Sequence, residues 1–130
     1  MMRIKIISPG KTKEPWLLEA LAEYEKRLSI KAKIEWIFPK ELSPIETPYA
    51  LLDVKGSLLS SEDFSKYLMS KQSHTFVIGG AEGPPLEIKE NATFKFSLSN
   101  MTFTHQMVRL ILMEQIYRGF EIHRGSKYHK

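Results

Sequence analysis

The chain has 130 residues, no cysteine, and 19 Lys or Arg against 15 Asp or Glu, a formal charge of +4. That length suits one domain spanning 1–130, large enough to bury a core without staples, and the lack of cysteine excludes disulfides and zinc-thiolate sites. No apolar run is long enough to span a bilayer, and the start Met-Met-Arg-Ile-Lys-Ile-Ile alternates where a signal peptide needs a continuous apolar stretch, so a soluble, cytoplasmic protein with no membrane partner is expected.

Arg3 to Ser8 alternates charged and apolar residues as a strand does, and Pro9-Gly10 ends it. Glu14-Pro15 opens a helix with proline in its first turn. Leu17, Leu18, Leu21, Tyr24 and Leu28 give it an apolar face, opposite the charged Glu19, Glu23, Glu25, Lys26 and Arg27. Lys33 to Phe38 alternates again. Pro39 to Pro48 holds three prolines and reads as a loop. Tyr49 to Val54 has the mostly apolar composition of a strand buried on both faces. Ser60-Ser61-Glu62-Asp63 caps a helix running to about Ser70. Thr75 to Ile78 is a further buried strand stopped by Gly79-Gly80, and Thr93 to Leu98 is the last strand. A long helix follows from about His105 to Phe120. Strands alternating with helices predict an α/β domain with a mainly parallel sheet and flanking helices.

The segment Phe76-Val-Ile-Gly-Gly-Ala-Glu-Gly-Pro-Pro85 ends a strand in glycines, where a ligand can approach backbone closely. It is not a phosphate loop. The spacing matches neither glycine fingerprint, Glu82 would repel phosphate, and Pro84 and Pro85 remove two N–H donors. A ligand here is neutral or cationic; the plainer alternative is a tight turn that needs glycine. Ser97 to Phe103 is a second strand-end loop, suited to an adenine edge and ring, or simply carrying Thr102 or Thr104 as the N-cap of the final helix.

That helix is apolar nearly all round, through Met107, Val108, Leu110, Ile111, Leu112, Met113, Ile116 and Tyr117. Such a helix is buried on more than one side; the sheet supplies one, and a second subunit is expected to supply another. Glu114 and Arg118 stand at i,i+4 in the favourable order. Arg109 has no acid at i±3 or i±4 and needs a partner from the tail, another subunit or a ligand. From Ser99 onward five Lys or Arg (Arg109, Arg118, Arg124, Lys127, Lys130) face two acids, so +3 of the chain's +4 sits there with three of the four histidines. Tyr128-His129-Lys130 combines a ring that stacks on a base, an imidazole that moves a proton and a cation for phosphate. By composition alone it also reads as a solvated tail. No serine sits in a nucleophile elbow, and no histidine pair has metal-ligand spacing, so no metal is expected.

Taken together, several segments resemble one family. They are Ile78-Gly-Gly-x-x-Gly83, Leu98-Ser-x-Met-Thr-Phe-x-His-Gln-Met-Val-Arg109, Glu114-Gln-x-Tyr-Arg118 and Arg124-Gly-x-x-Tyr-His-Lys130, with Ile6-x-x-x-Gly10-Lys and Glu23-Tyr-Glu-Lys-Arg27 upstream. The chain resembles the large-subunit (23S) ribosomal RNA methyltransferase H family of SPOUT-class enzymes. The resemblance implies a C-terminal trefoil knot, a homodimer, S-adenosylmethionine as cofactor, and methylation of N3 of a pseudouridine in large-subunit rRNA of the ribosome. By matching position the cofactor would meet Leu52, Gly79, Leu98, Ser99, Asn100, Met101, Thr102 and Phe103. The catalytic set would be Arg109, Glu114, Arg118, Tyr128 and His129, with His105, Arg124, Lys127 and Lys130 toward RNA and the tail completing the partner's pocket. This chain departs in its short 39–48 connection, where the family carries a longer charged helical segment, in Thr104, where proline is usual, and in Gly125-Ser-Lys before Tyr128-His129. The rival reading is a non-catalytic RNA-binding or ribosome-associated dimer of the same fold.

Overall fold

A computed structural model describes residues 1–130 as nine elements: β1 (Met2–Ile7), α1 (Pro15–Leu28), β2 (Ala32–Ile37), β3 (Ala50–Leu58), α2 (Ser61–Met69), β4 (Ser73–Ile78), α3 (Leu86–Asn91), β5 (Phe94–Ser97) and α4 (His105–Arg124). The strands form one sheet in the order β2-β1-β4-β3-β5, and every pairing is parallel. Alternation along the strands divides the core between two faces. Ile4, Ile6, Ala50, Phe76, Ile78 and Phe96 point to the side that holds Leu17 and Leu21 of α1, Phe64 and Leu68 of α2, and Leu112, Met113 and Ile116 of α4. Leu51 and Val77 point the other way, onto Ile88 of α3 and Leu42 and Ile45 of the 39–48 loop.

That division follows from connection handedness. Crossovers between parallel strands keep one hand, so a connection running one way across the sheet lies on one face and a returning one on the other. β1 to β2 and β3 to β4 run one way, and α1 and α2 share a face. β2 to β3 and β4 to β5 run back, and the 39–48 loop and α3 share the opposite face. α3 is an addition to the elements predicted from sequence.

α4 sits between α1 and α2 above the sheet. Its apolar circumference therefore has a source within one chain: two neighbouring helices and the sheet, where the sequence pointed to the sheet and a second subunit. Gly119 lets it approach α2, since a Cβ there would lie 3.0 Å from Leu68 Cδ2, and Ser65 Oγ donates to the Gly119 carbonyl at 2.7 Å. The helix starts at Thr104, whose hydroxyl accepts from the Met107 N–H at 3.3 Å, and stops at Gly125 in the left-handed region at φ 74°.

Candidate functional site

The carboxyl ends of β3, β4 and β5 and the start of α4 enclose a cleft of about 710 Å³, where open parallel sheets hold ligands. Leu52, Gly79, Leu98, Ser99, Met101, Thr102 and Phe103 all line it; Asn100, expected with them, does not. Met101 is 73% exposed and Phe103 37%, leaving apolar side chains at the mouth to close over a flat ring. Gly79 is needed for a different reason than ligand approach. A Cβ there would lie 2.8 Å from the Pro84 ring, so glycine allows the loop to fold back on itself. Gly83, at φ 81°, closes that turn by donating its N–H to the Gly80 carbonyl at 2.9 Å. The tight-turn reading of this loop is thus present.

The donor set of the cleft suits an adenosyl cofactor without phosphates. Backbone edges and hydroxyls of Ser97, Ser99 and Thr102 stand among Leu52, Ile78, Leu98 and Val108, while Pro84 and Pro85 offer no N–H to an anion. His105 also lines this cleft. Burial, and then the charge of Arg109, lowers its pKa, so it is a neutral imidazole near pH 7.

Arg109 lies beside the cleft and not on a surface. It is 0% exposed. Its guanidinium donates to Ser8 Oγ at 2.8 Å, Thr12 Oγ1 at 2.7 Å and the carbonyls of Pro9 and Gly10 at 2.8 and 2.7 Å, and it stacks over Phe38 at 4.8 Å. The partner sought from the tail, another subunit or a ligand is mainly a run of carbonyl and hydroxyl oxygens after β1. Arg109 thereby ties the 8–12 loop to α4, and Pro9 of that loop packs under Gly80. Arg109, expected in the catalytic set, is buried here with its donors engaged and holds these loops in place.

The tail is not a solvated end. The reversal at Gly125 returns it along α4, so Tyr128 Oη donates to Glu114 Oε2 at 2.8 Å. Arg118 Nη2 donates to the same oxygen at 3.0 Å and lies over the Tyr128 ring at 4.9 Å. Arg118 Nη1 meets His129 Nδ1 at 3.0 Å, and His129 Nε2 meets Glu62 Oε1 at 3.1 Å. A guanidinium only donates, so Nδ1 accepts and Nε2 carries the proton toward Glu62. Burial, and then the bond to Glu114, raises the Tyr128 pKa, keeping its hydroxyl protonated. The Glu114–Arg118 pair and the Tyr128-His129 motif form one connected cluster, which also takes in Glu62, signalled in sequence only as a helix-capping residue. Arg124 pairs with Glu121 at 2.9 Å; Lys127 and Lys130 are exposed. No group of three His, Cys, Asp or Glu side chains is placed to hold a metal ion, and no helix is long and apolar enough to cross a membrane.

A parallel sheet with a cleft at its carboxyl edge and a folded-back polar tail defines an α/β protein with its candidate ligand site at the strand ends. The family described as "Predicted SPOUT methyltransferase" matches residues 2–129. The chain is 45% identical over 141 residues to a protein of Protochlamydia amoebophila, with all of both chains covered. It is 42% identical over 159 residues to one of Carboxydothermus hydrogenoformans, covering 99% of this chain and all of the relative. Both relatives are named ribosomal RNA large subunit methyltransferase H. The chain belongs to the SPOUT methyltransferase family.

Proposed function

We propose that the protein is an S-adenosylmethionine-dependent methyltransferase acting on N3 of a pseudouridine in large-subunit rRNA, as a homodimer with the family's C-terminal knot. The cleft at the ends of β3, β4 and β5 carries this reading, because its volume, its apolar side chains and its glycine- and proline-built wall suit an adenosyl cofactor. The names of the relatives support the RNA substrate. The knot accords with β3 lying between β4 and β5, with α2 and α3 crossing on opposite faces.

The bound cofactor supplies an electrophilic methyl group to a nitrogen nucleophile. The chain's own residues must orient the base and take up charge and a proton as N3 attacks. Arg118 is the cation able to face the developing anion. His129 is the candidate proton acceptor, and Nδ1 becomes available once its contact with Arg118 opens. Tyr128 contributes a ring for stacking and a hydroxyl that stays protonated. From His105 at the cleft to Arg118 the helix climbs about 20 Å at 1.5 Å per residue, too far for both ends to serve one methyl transfer. A second copy solves this. The outward stripe of Met107, Ile111, Glu114 and Arg118 brings the tail of one protomer to the cleft of the other when a two-fold axis passes near Ile111. The homodimer thus rests on this distance more than on the apolar circumference of α4.

Calorimetry with S-adenosylmethionine in the absence of magnesium, followed by methyl-transfer assays on ribosomal particles with and without pseudouridine, tests the reading. Binding without transfer would support the non-catalytic RNA-binding rival; no binding removes both cofactor and reaction.

A further inference from the structure

Three charged side chains stand at the rim of the cleft. Asp53, Lys55 and Lys89 all line it, and Asp53 is its one carboxylate. Asp53 and Lys55 stand where β3 leaves its ladder: β3 pairs with β5 as far as Leu52 and again from Ser57, with a register break between them. A bulge of this kind re-aims side chains. Gly56 seats it directly on the β5 backbone, since a Cβ there would lie 2.6 Å from the Lys95 carbonyl carbon and the Phe96 nitrogen. One Asp53 carboxylate oxygen accepts from the Lys55 N–H at 3.0 Å, an Asx turn that fixes its direction, and the other oxygen bonds nothing in the chain. Neither lysine enters an ion pair. One edge of an otherwise apolar cleft therefore presents a fixed negative charge beside two unpaired positive ones.

A phosphate would be repelled by Asp53, and a simple cation by the lysines. A group that carries both signs meets neither penalty. We propose that Asp53, Lys55 and Lys89 form the subsite for the amino-acid end of the methyl donor, Asp53 accepting hydrogen bonds from its ammonium and the lysines pairing with its carboxylate. The adenine is left to the 98–103 loop. The inference rests on the reading of this cleft as the donor site and adds which end of the donor lies against the 53–56 bulge. These residues bind and orient; none touches the transferred methyl.

Two thioether probes test it by calorimetry at pH 7. S-adenosylhomocysteine carries the amino-acid end, and 5′-methylthioadenosine lacks it. Wild type is expected to prefer the first by about tenfold or more, the scale of one charge-assisted hydrogen bond. Asp53→Ala and the double variant Lys55→Ala with Lys89→Ala should each erase most of that preference while leaving methylthioadenosine affinity unchanged, which also shows that the cleft is intact. Asp53→Asn retains the acceptor of the Asx turn and removes the charge, so it should lose the preference as well. Variants that keep the full preference, or that weaken both probes equally, overturn the subsite. Wild-type binding of both probes with equal affinity overturns it too. Binding of neither probe by wild type instead removes the donor site itself.

Discussion

A buried arginine without a carboxylate partner is expensive unless oxygen dipoles replace water around it. Burial lowers the Arg109 pKa, yet four strong hydrogen bonds to the 8–12 loop keep the charge where it is. Arg109→Lys supplies a point charge that cannot reach hydroxyls and carbonyls spread over a fork, and we expect it to cost about 3 kcal/mol, a fall of roughly 10 °C in Tm by calorimetry. A fall under about 2 °C would mean that the loop does not depend on the fork. His74 gives a pH signature. Burial lowers its pKa; Nε2 donates to the Leu68 carbonyl at 2.8 Å, and Nδ1 is buried without a partner. The unfolded chain takes up a proton near the ordinary value of 6.5 that the folded ring resists. Stability is therefore fully present above about 6.5 and declines as pH falls below it. Urea midpoints at pH 7.5 and 5.5 should show this decline, and His74→Gln should flatten it.

At the level of elements, the contact between α2 and α4 depends on Gly119. Glycine inside a helix costs stability relative to alanine, and here it permits the Ser65 bond and the approach of Leu68. Gly119→Val should lose about 2 kcal/mol by overpacking, read as a lower urea midpoint; an unchanged midpoint would mean that the helices separate freely. Most elements were legible in the sequence, because period-2 and helical patterns, Ser60 and Thr104 as caps and Pro15 at a helix start are local signals. What lay outside local reach is equally physical. The six residues of α3 follow two prolines and are too few to display a period. The far part of β3 is reached through a bulge that no alternation announces, which also hid Asp53 and Lys55. Arg109 found most of its oxygens about a hundred residues away, with only Gln106 Oε1 from its own helix. The tail looked solvated by composition because its return depends on one left-handed residue, Gly125.

For the whole molecule, the proposed homodimer makes the number of copies part of the proposed chemistry, because the cleft and the Tyr128-His129 cluster lie apart along α4. Removing residues 128–130 should leave the fold intact and cofactor binding little changed, while methyl transfer at saturating ribosome and cofactor falls sharply in single-turnover assays. A truncated enzyme equal to wild type would return the tail to a merely structural role. A sharper experiment mixes two inactive variants: Gly79→Val, which drives the Pro84 ring out of the cleft wall, and the tail deletion. If each site takes its cleft from one protomer and its tail from the other, randomly exchanged dimers regain about a quarter of wild-type activity, because half are mixed and each mixed dimer holds one whole site. Sites contained within one protomer would regain none.

The helix at the centre is made after every element it joins. α1, α2 and the strand-end loops all await α4, and Ser8 does not meet Arg109 until nearly the whole chain exists. During synthesis the earlier elements can form only an open groove, its apolar floor uncovered until α4 emerges. A nascent copy without α4 therefore has no closed cleft, because the element that covers the sheet is made after the strands it covers.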